Sequence, residues 1–273
     1  MASFESVRVL VTGAGRGIGK RLAIGFAAAG ANVGLLARSK AELELTQLEI
    51  DHAGGKAIRL RADVRKVDQL RAAVERMSAH FGDIHVLISA AGIQGPIGPF
   101  LGNAVDEWAA TVETNLVGSM HACRCVLPEM VRRRHGKIIL ISGGGGAYPR
   151  PNFSAYAASK AGLLRFAETL AEEVRDHNVQ VNCMAPGGSY THMTDEILRA
   201  GDLAGAKDQS EALQVRITGG TPPEKQVELA MFLASERSNH ISGKLIHVND
   251  DWRRLEGAKV NPELFTLRRL QKV

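Results

Sequence analysis

The segment Thr12-Gly13-Ala14-Gly15-Arg16-Gly17-Ile18-Gly19 constrains this chain more than any other. It follows Val7-Arg8-Val9-Leu10-Val11, a short β-branched run that reads as a strand. It precedes Gly19 to Ala27, whose apolar residues recur at helical spacing until Gly30 can end the helix. The glycines therefore fall at a strand-to-helix turn. Without side chains there, backbone N–H groups and the helix N-terminus can approach a pyrophosphate.

Six further strand-like runs follow, at Asn32 to Leu36, Lys56 to Leu60, Ile84 to Ile88, Lys137 to Ile141, Val179 to Cys183 and Lys244 to Val248. Helical patterns separate most of them. Such alternation predicts an α/β chain, a single Rossmann-like doubly wound domain with a seven-stranded parallel sheet flanked by helices and its ligand beyond the carboxyl ends of the strands. With 273 residues, 45% of them hydrophobic, the chain can close one large core, and no second domain is required. Residues 1–251 form the expected domain and residues 252–273 an extension. No repeat and no low-complexity linker interrupts them, although Gly143 to Gly146 is a four-glycine run.

A second motif, Tyr156-Ala157-Ala158-Ser159-Lys160, carries chemistry. If it is helical, the four-residue spacing stacks phenol and ammonium on one face, and the cation favours phenolate in a group of reference pKa about 10. A tyrosine tuned in this way passes a proton to a carbonyl oxygen. Taken alone, the same spacing is also common on helix surfaces.

Together these motifs make the chain resemble the short-chain dehydrogenase/reductase family from about Val7 to Val248. The TGxxxGxG turn is Thr12 to Gly19, the YxxxK pair is Tyr156 and Lys160, and Pro186-Gly187-Gly188-Ser189-Tyr190-Thr191 fits the PGxxxT segment. Asn115 matches the family's helix asparagine. The resemblance implies that Gly13, Gly15, Arg16, Gly17, Ile18, Gly19, Asp63, Val64, Ala91, Gly92, Pro186, Gly187 and Thr191 bind a nicotinamide dinucleotide, with Asp63 beside the adenine. It further implies that Tyr156 protonates the substrate oxygen, Lys160 lowers the tyrosine pKa and binds the ribose, Asn115 holds a water, and a serine orients the carbonyl. Charge favours NADP(H). The second strand ends Leu35-Leu36-Ala37-Arg38, so no acid at position 37 repels a 2′-phosphate, while Arg38 and Arg16 stand where guanidinium groups would bind it.

Three departures stand out. The position thirteen residues before the tyrosine, where the family usually has its serine, is Gly143, with Ser142 one earlier. Glycine-rich backbone can bring the Ser142 hydroxyl to the site. Alternatively Ser142 only ends a strand, and Ser154, backbone N–H groups or nothing orients the oxygen. Ser89-Ala90-Ala91-Gly92 replaces a segment richer in asparagine, and Asn249-Asp250-Asp251-Trp252 replaces a glycine-rich finish.

The segment from Gly188 to about Gly220 is expected to cover the substrate, but Tyr190, His192, Met193, Leu198 and Lys207 single out no chemistry beyond a small-molecule carbonyl or alcohol. In the tail, Leu264, Phe265, Leu267 and Leu270 among Arg268, Arg269 and Lys272 predict packing on the same or a neighbouring subunit. The resemblance implies a homo-oligomer, a tetramer before a dimer, through the helices bearing Asn115 and Tyr156, where Ala157, Ala158, Ala161 and Gly162 allow close approach.

The formal charge of +5 comes with only short basic runs, Arg132-Arg133-Arg134 and Arg268-Arg269, which lack interleaved aromatics and argue against nucleic-acid binding. Cys123 and Cys125 point to different sides of a helix, so the three cysteines fit neither a disulfide framework nor a zinc site, and a reduced cytoplasmic setting is expected. The nine histidines show no HExxH spacing. No signal-like or membrane-length apolar run is present, so neither export nor insertion is expected. The leading expectation is an NADPH-dependent oxidoreductase. The competing one is a catalytically weak or silent NADP-binding protein of the same fold.

Overall fold

The computed structural model describes residues 3–268, so Arg269, Leu270 and Lys272 of the tail lie outside the described residues. Strands β1 (Arg8–Thr12), β2 (Asn32–Ala37), β3 (Lys56–Arg61), β4 (Val86–Ser89), β5 (Gly136–Ile141), β6 (Val179–Ala185) and β7 (Leu245–His247) form one sheet in the order β3-β2-β1-β4-β5-β6-β7. Every neighbouring pair is parallel. Each strand-like run of the sequence lies on one of these strands. The helices are α1 (Gly17–Ala28), α2 (Lys40–His52), α3 (Val67–Phe81), α4 (Val105–Val112), α5 (Gly118–Arg132), α6 (Ser154–Glu173), α7 (His192–Ala200), α8 (Ala206–Thr218) and α9 (Pro223–Ala234).

Alternation along each strand divides the core in two. Val9 and Val11 of β1, Val33 and Leu35 of β2, and Ile139 and Ile141 of β5 pack toward α1 and α9. The intervening Leu10, Leu36, Ile138 and Leu140 pack toward α3, α5 and α6. Because both faces are covered, β5 is buried at every position, which is why these strands read as unbroken apolar runs instead of alternating ones. Leu36 is fully buried, and its truncation to alanine would cost about 2–5 kcal/mol.

From β1 the chain winds outward to β2 and β3, then returns to add β4 on the other side of β1. The crossovers diverge at this point and leave a crevice at the carboxyl ends of β1 and β4, where Thr12 is in register with Ser89.

The extension packs on its own subunit. Trp252 is buried with its ring 5.0 Å from that of Phe232, filling the place of the glycine-rich finish. Leu245 N donates to the Phe265 carbonyl at 2.7 Å, and Lys244 Nζ donates to the carbonyls of Pro262 and Leu264 at 2.6 and 2.9 Å. Phe265 and Leu267 pack on the two core clusters, and Arg268 pairs with Glu168.

Candidate active site

The glycine turn brings three backbones together. Gly13 and Gly17 take positive φ of 69° and 58°. A β-carbon on Gly19 would lie 2.3 Å from the Gly13 carbonyl oxygen, and one on Gly13 would lie 2.8 Å from the Ala91 backbone. The buried Thr12 hydroxyl accepts hydrogen bonds from Ala90 N and Ala91 N at 3.1 and 3.2 Å, and Ser89 Oγ donates to Ser119 Oγ at 3.1 Å. These contacts support the Ser89-Ala90-Ala91 stretch where the resemblance had led us to expect asparagines. Arg16, at the N-cap of α1, gives no side-chain acceptor to the first turn, so that helix end stays available to an anion.

A cavity of about 1380 Å³ runs along the carboxyl edge of the sheet, from Arg38 and Asp63 past Gly13 and Gly92 to Tyr156 and Lys160. It exceeds the ~300–1,000 Å³ of a typical small-ligand pocket and leaves room for an extended ligand beside a second molecule. Glycine walls that a β-carbon would fill fit a nicotinamide dinucleotide. Ile18, Val64, Ala91, Pro186, Gly187 and Thr191 also line the cavity. Thr191 caps α7 in a reciprocal capping box with Thr194.

At the outer end, Arg16 and Arg38 are exposed, and Ala37 carries no charge. Arg16 forms a 3.5 Å ion pair with Glu42, a residue the sequence reading passed over. The Ser39-x-x-Glu42 spacing was the available signal: Ser39 Oγ accepts from Glu42 N and turns that first helical turn toward the glycines. Asp63 pairs with Arg65 at 2.6 Å, and this bond holds its carboxyl below the usual carboxylate range.

At the inner end, Tyr156 and Lys160 are both buried on α6. Lys160 Nζ donates to the Ile141 carbonyl at 2.7 Å and stands 5.5 Å from the Tyr156 ring centroid. Burial pulls the lysine down to about 8. Burial pushes the Tyr156 phenol up, and the cation that opposes the shift is Arg150. The Lys160 ammonium thus gives a hydrogen bond to a backbone carbonyl at the end of β5. Asn115 lies fully buried on a π-helical turn, Glu113–Val117, between α4 and α5. Its Oδ1 accepts from Ile93 N at 2.8 Å, while Nδ2 donates to the Ile93 carbonyl and to Ser159 Oγ, both at 3.0 Å. The side chain braces the loop after β4 against α6.

Ser142 and Gly143 end β5 differently. A β-carbon on Gly143 would lie 2.3 Å from Tyr156 Oη, so the phenol occupies the space a side chain at position 143 would need. Ser142 is buried and lines the cavity, its Oγ 3.1 Å from where a β-carbon on Gly146 would lie.

The segment 188–220 forms α7 and α8 over the cavity. Ile197, Ala204 and Ala212 pack against Phe153 and Tyr156 in a third, small apolar cluster. Arg150 pairs with Asp208 at 2.7 Å and lies 3.8 Å over the Phe153 ring, tying α8 to the loop that precedes Tyr156. Nothing in the spacing of Arg150 and Asp208 signalled this pair, which is 58 residues apart in sequence. Among the described residues no metal-ligating cluster is present, and no helix is long and apolar enough to cross a membrane.

The chain is similar over most of its length to known proteins. The chain is 34% identical over 247 residues to a 3-oxoacyl-(acyl-carrier-protein) reductase of Chlamydia muridarum, covering 88% of this chain and 94% of that one. Among solved structures, levodione reductase superposes with a TM-score of 0.83 at 25% identity, covering 92% of this chain and 99% of that chain. A variant of actinorhodin polyketide ketoreductase with NADPH gives 0.82 at 29% identity, covering 91% and 97%. The short chain dehydrogenase profile matches residues 7–201, and the chain belongs to that family of oxidoreductases.

Proposed function

We propose that the protein is an NADPH-dependent reductase of a ketone, working reversibly on the corresponding secondary alcohol. The observation that carries this reading is the position of Tyr156 Oη, against Gly143 in the cavity and one helical turn from Lys160. The nicotinamide, when bound, supplies or takes the hydride. Tyr156, kept protonated by its burial, gives its proton to the carbonyl oxygen. Lys160 is positioned to bind the ribose hydroxyls and reload the phenol, Asn115 holds the loop beside it, and Ser142 is the side-chain hydroxyl available at the end of β5. Relatives named for reduction of a 3-oxoacyl group and for a polyketide ketoreductase with NADPH support the direction and the cofactor.

The exposed Arg38 and Arg16 at the outer end of the cavity support a cofactor with a 2′-phosphate, and Ala37 offers it no repulsion. NADPH is expected to bind more tightly than NADH. Arg38→Asp is expected to reverse or erase that preference by at least tenfold, read by fluorescence titration of each cofactor. Equal wild-type affinities would sink this assignment. A homotetramer is part of the same reading, since Ala158 on α6 is exposed and small enough for a second helix to approach; a monomeric mass by light scattering at micromolar concentration would reject it.

A second reading, a cofactor-binding protein with little turnover, is favoured by Gly143 at the position of the orienting serine. NADPH oxidation across a panel of ketones, compared with NADPH binding alone, separates the two.

A further inference from the structure

Gln94 lies two residues beyond Gly92 in the loop that follows β4. It is only 3% exposed, lines the cavity, and its Nε2 is buried with no hydrogen-bond partner. A buried amide nitrogen without an acceptor is unfavourable, and native structures seldom keep one without a use.

The surrounding backbone holds this side chain where it is. On one side, both backbone groups of Ile93 are bonded to the Asn115 side chain, at 2.8 and 3.0 Å. On the other, Gly95 takes a φ of 73° and packs so closely on α4 that a β-carbon would lie 2.1 Å from Thr111 Oγ1. The same stretch runs alongside the reacting groups: a β-carbon on Gly92 would lie 3.1 Å from Asn115 Oδ1 and 3.8 Å from Lys160 Nζ. Beyond Tyr156 the cavity lining mixes apolar Met193, Ile197 and Ala212 with the Arg150–Asp208 ion pair. Gln94 therefore brings an unspent donor to the lining of a cavity whose position 143 carries no hydroxyl.

We propose that the Gln94 carboxamide is a positioning residue that donates a hydrogen bond to a second oxygen of the substrate, so that the preferred substrates are ketones bearing another acceptor oxygen near the reacting carbonyl. The inference rests on the ketone-reductase reading above. A substrate with such an oxygen satisfies the amide, and one without it leaves the amide buried and unpaired, a difference a polar site can convert into strong discrimination.

The test compares kcat/KM for ethyl 3-oxobutanoate and 2-hexanone, with NADPH, in the wild type, Gln94→Met and Gln94→Glu. Methionine keeps the length of the side chain and removes the donor; glutamate keeps the shape and replaces the donor with an acceptor. In both variants kcat/KM for the keto ester is expected to fall at least tenfold more than that for 2-hexanone, chiefly through KM, with the NADPH dissociation constant within about threefold of wild type. An equal fall on both ketones would mark a structural role and overturn the proposal, as would an unchanged ratio in either variant. If Gln94→Met does not fold well enough to bind NADPH, Gln94→Glu decides alone, and Gln94→Leu replaces both if neither binds. A wild type that binds NADPH yet reduces neither ketone refutes the reductase reading, and this inference falls with it.

Discussion

A buried lysine stands near each end of β5, and of the two Lys160 alone lines the large cavity. At the carboxyl end Lys160 is 5% exposed, bonded to the Ile141 carbonyl and pulled down by burial to about 8. At the amino end Lys137 is 2% exposed, bonded to Asn239 Oδ1 at 2.7 Å and Ser238 Oγ at 3.3 Å, and pulled down by burial to about 7. Around Lys137 burial also pushes His85 down to about 4 and lowers His135, with Arg8 and Arg133 close by. Burial thus lowers the lysine at both ends. At the amino end the lysine finds two side-chain acceptors, whereas the carboxyl end opens on the glycine-walled cavity and the Tyr156 phenol. A perturbed lysine thus marks a site only when open space and a second titrating group adjoin it.

Removing the phenol should break that contrast most visibly. Tyr156→Phe deletes the proton donor while keeping the ring that packs on Phe153 and Ile197. Turnover is expected to fall by at least about a hundredfold with NADPH affinity largely retained. Lys137→Met, with a comparable loss of a buried polar group, is expected to leave turnover within about twofold. Full activity of Tyr156→Phe on a true substrate, measured by NADPH oxidation, would show that the two ends differ for some other reason.

The carboxyl end was legible because its parts are local in sequence. Four glycines in one turn, the Tyr156 and Lys160 spacing and the apolar strand runs each report a short stretch of backbone, and the parallel sheet follows from their alternation. What was not legible depends on contacts between distant segments. The pairing of Glu42 with Arg16, the tie between Arg150 and Asp208, and the unpartnered amide of Gln94 arise only once helices and loops are stacked over the sheet. The hydrogen bond from Lys160 to the Ile141 carbonyl belongs here too, because its acceptor comes from another element.

Stability against pH should sharpen the contrast at the amino end. The folded pKa of Lys137, about 7, lies below its ordinary value of 10.5. Between these values the unfolded chain carries a proton that the folded chain lacks, so stability rises with pH through that window. Below pH 7 both states are protonated and the burial penalty is complete. One such proton changes the unfolding free energy by at most about 1.4 kcal/mol per pH unit. Relative to wild type, Lys137→Met is expected to lose much of that slope between pH 7 and 9 in urea denaturation. Parallel curves for the two proteins would mean that Lys137 stays charged in the fold.

Among the groups lining the cavity the smallest effect on turnover is expected at Ser142, which follows β5. Ser142 is buried like the strand it follows, and its hydroxyl lies toward Gly146, whereas the phenol lies against Gly143. A donor aimed at the developing oxyanion is worth about 10²–10³ in turnover. A donor beside that position, in a cavity that also holds the Gln94 amide, should be worth much less. Ser142→Ala is therefore expected to lower turnover by less than about tenfold, with NADPH affinity unchanged. A hundredfold loss in steady-state turnover would show that the glycine run delivers this hydroxyl to the carbonyl after all, and that Ser142 takes the place of the serine missing at position 143.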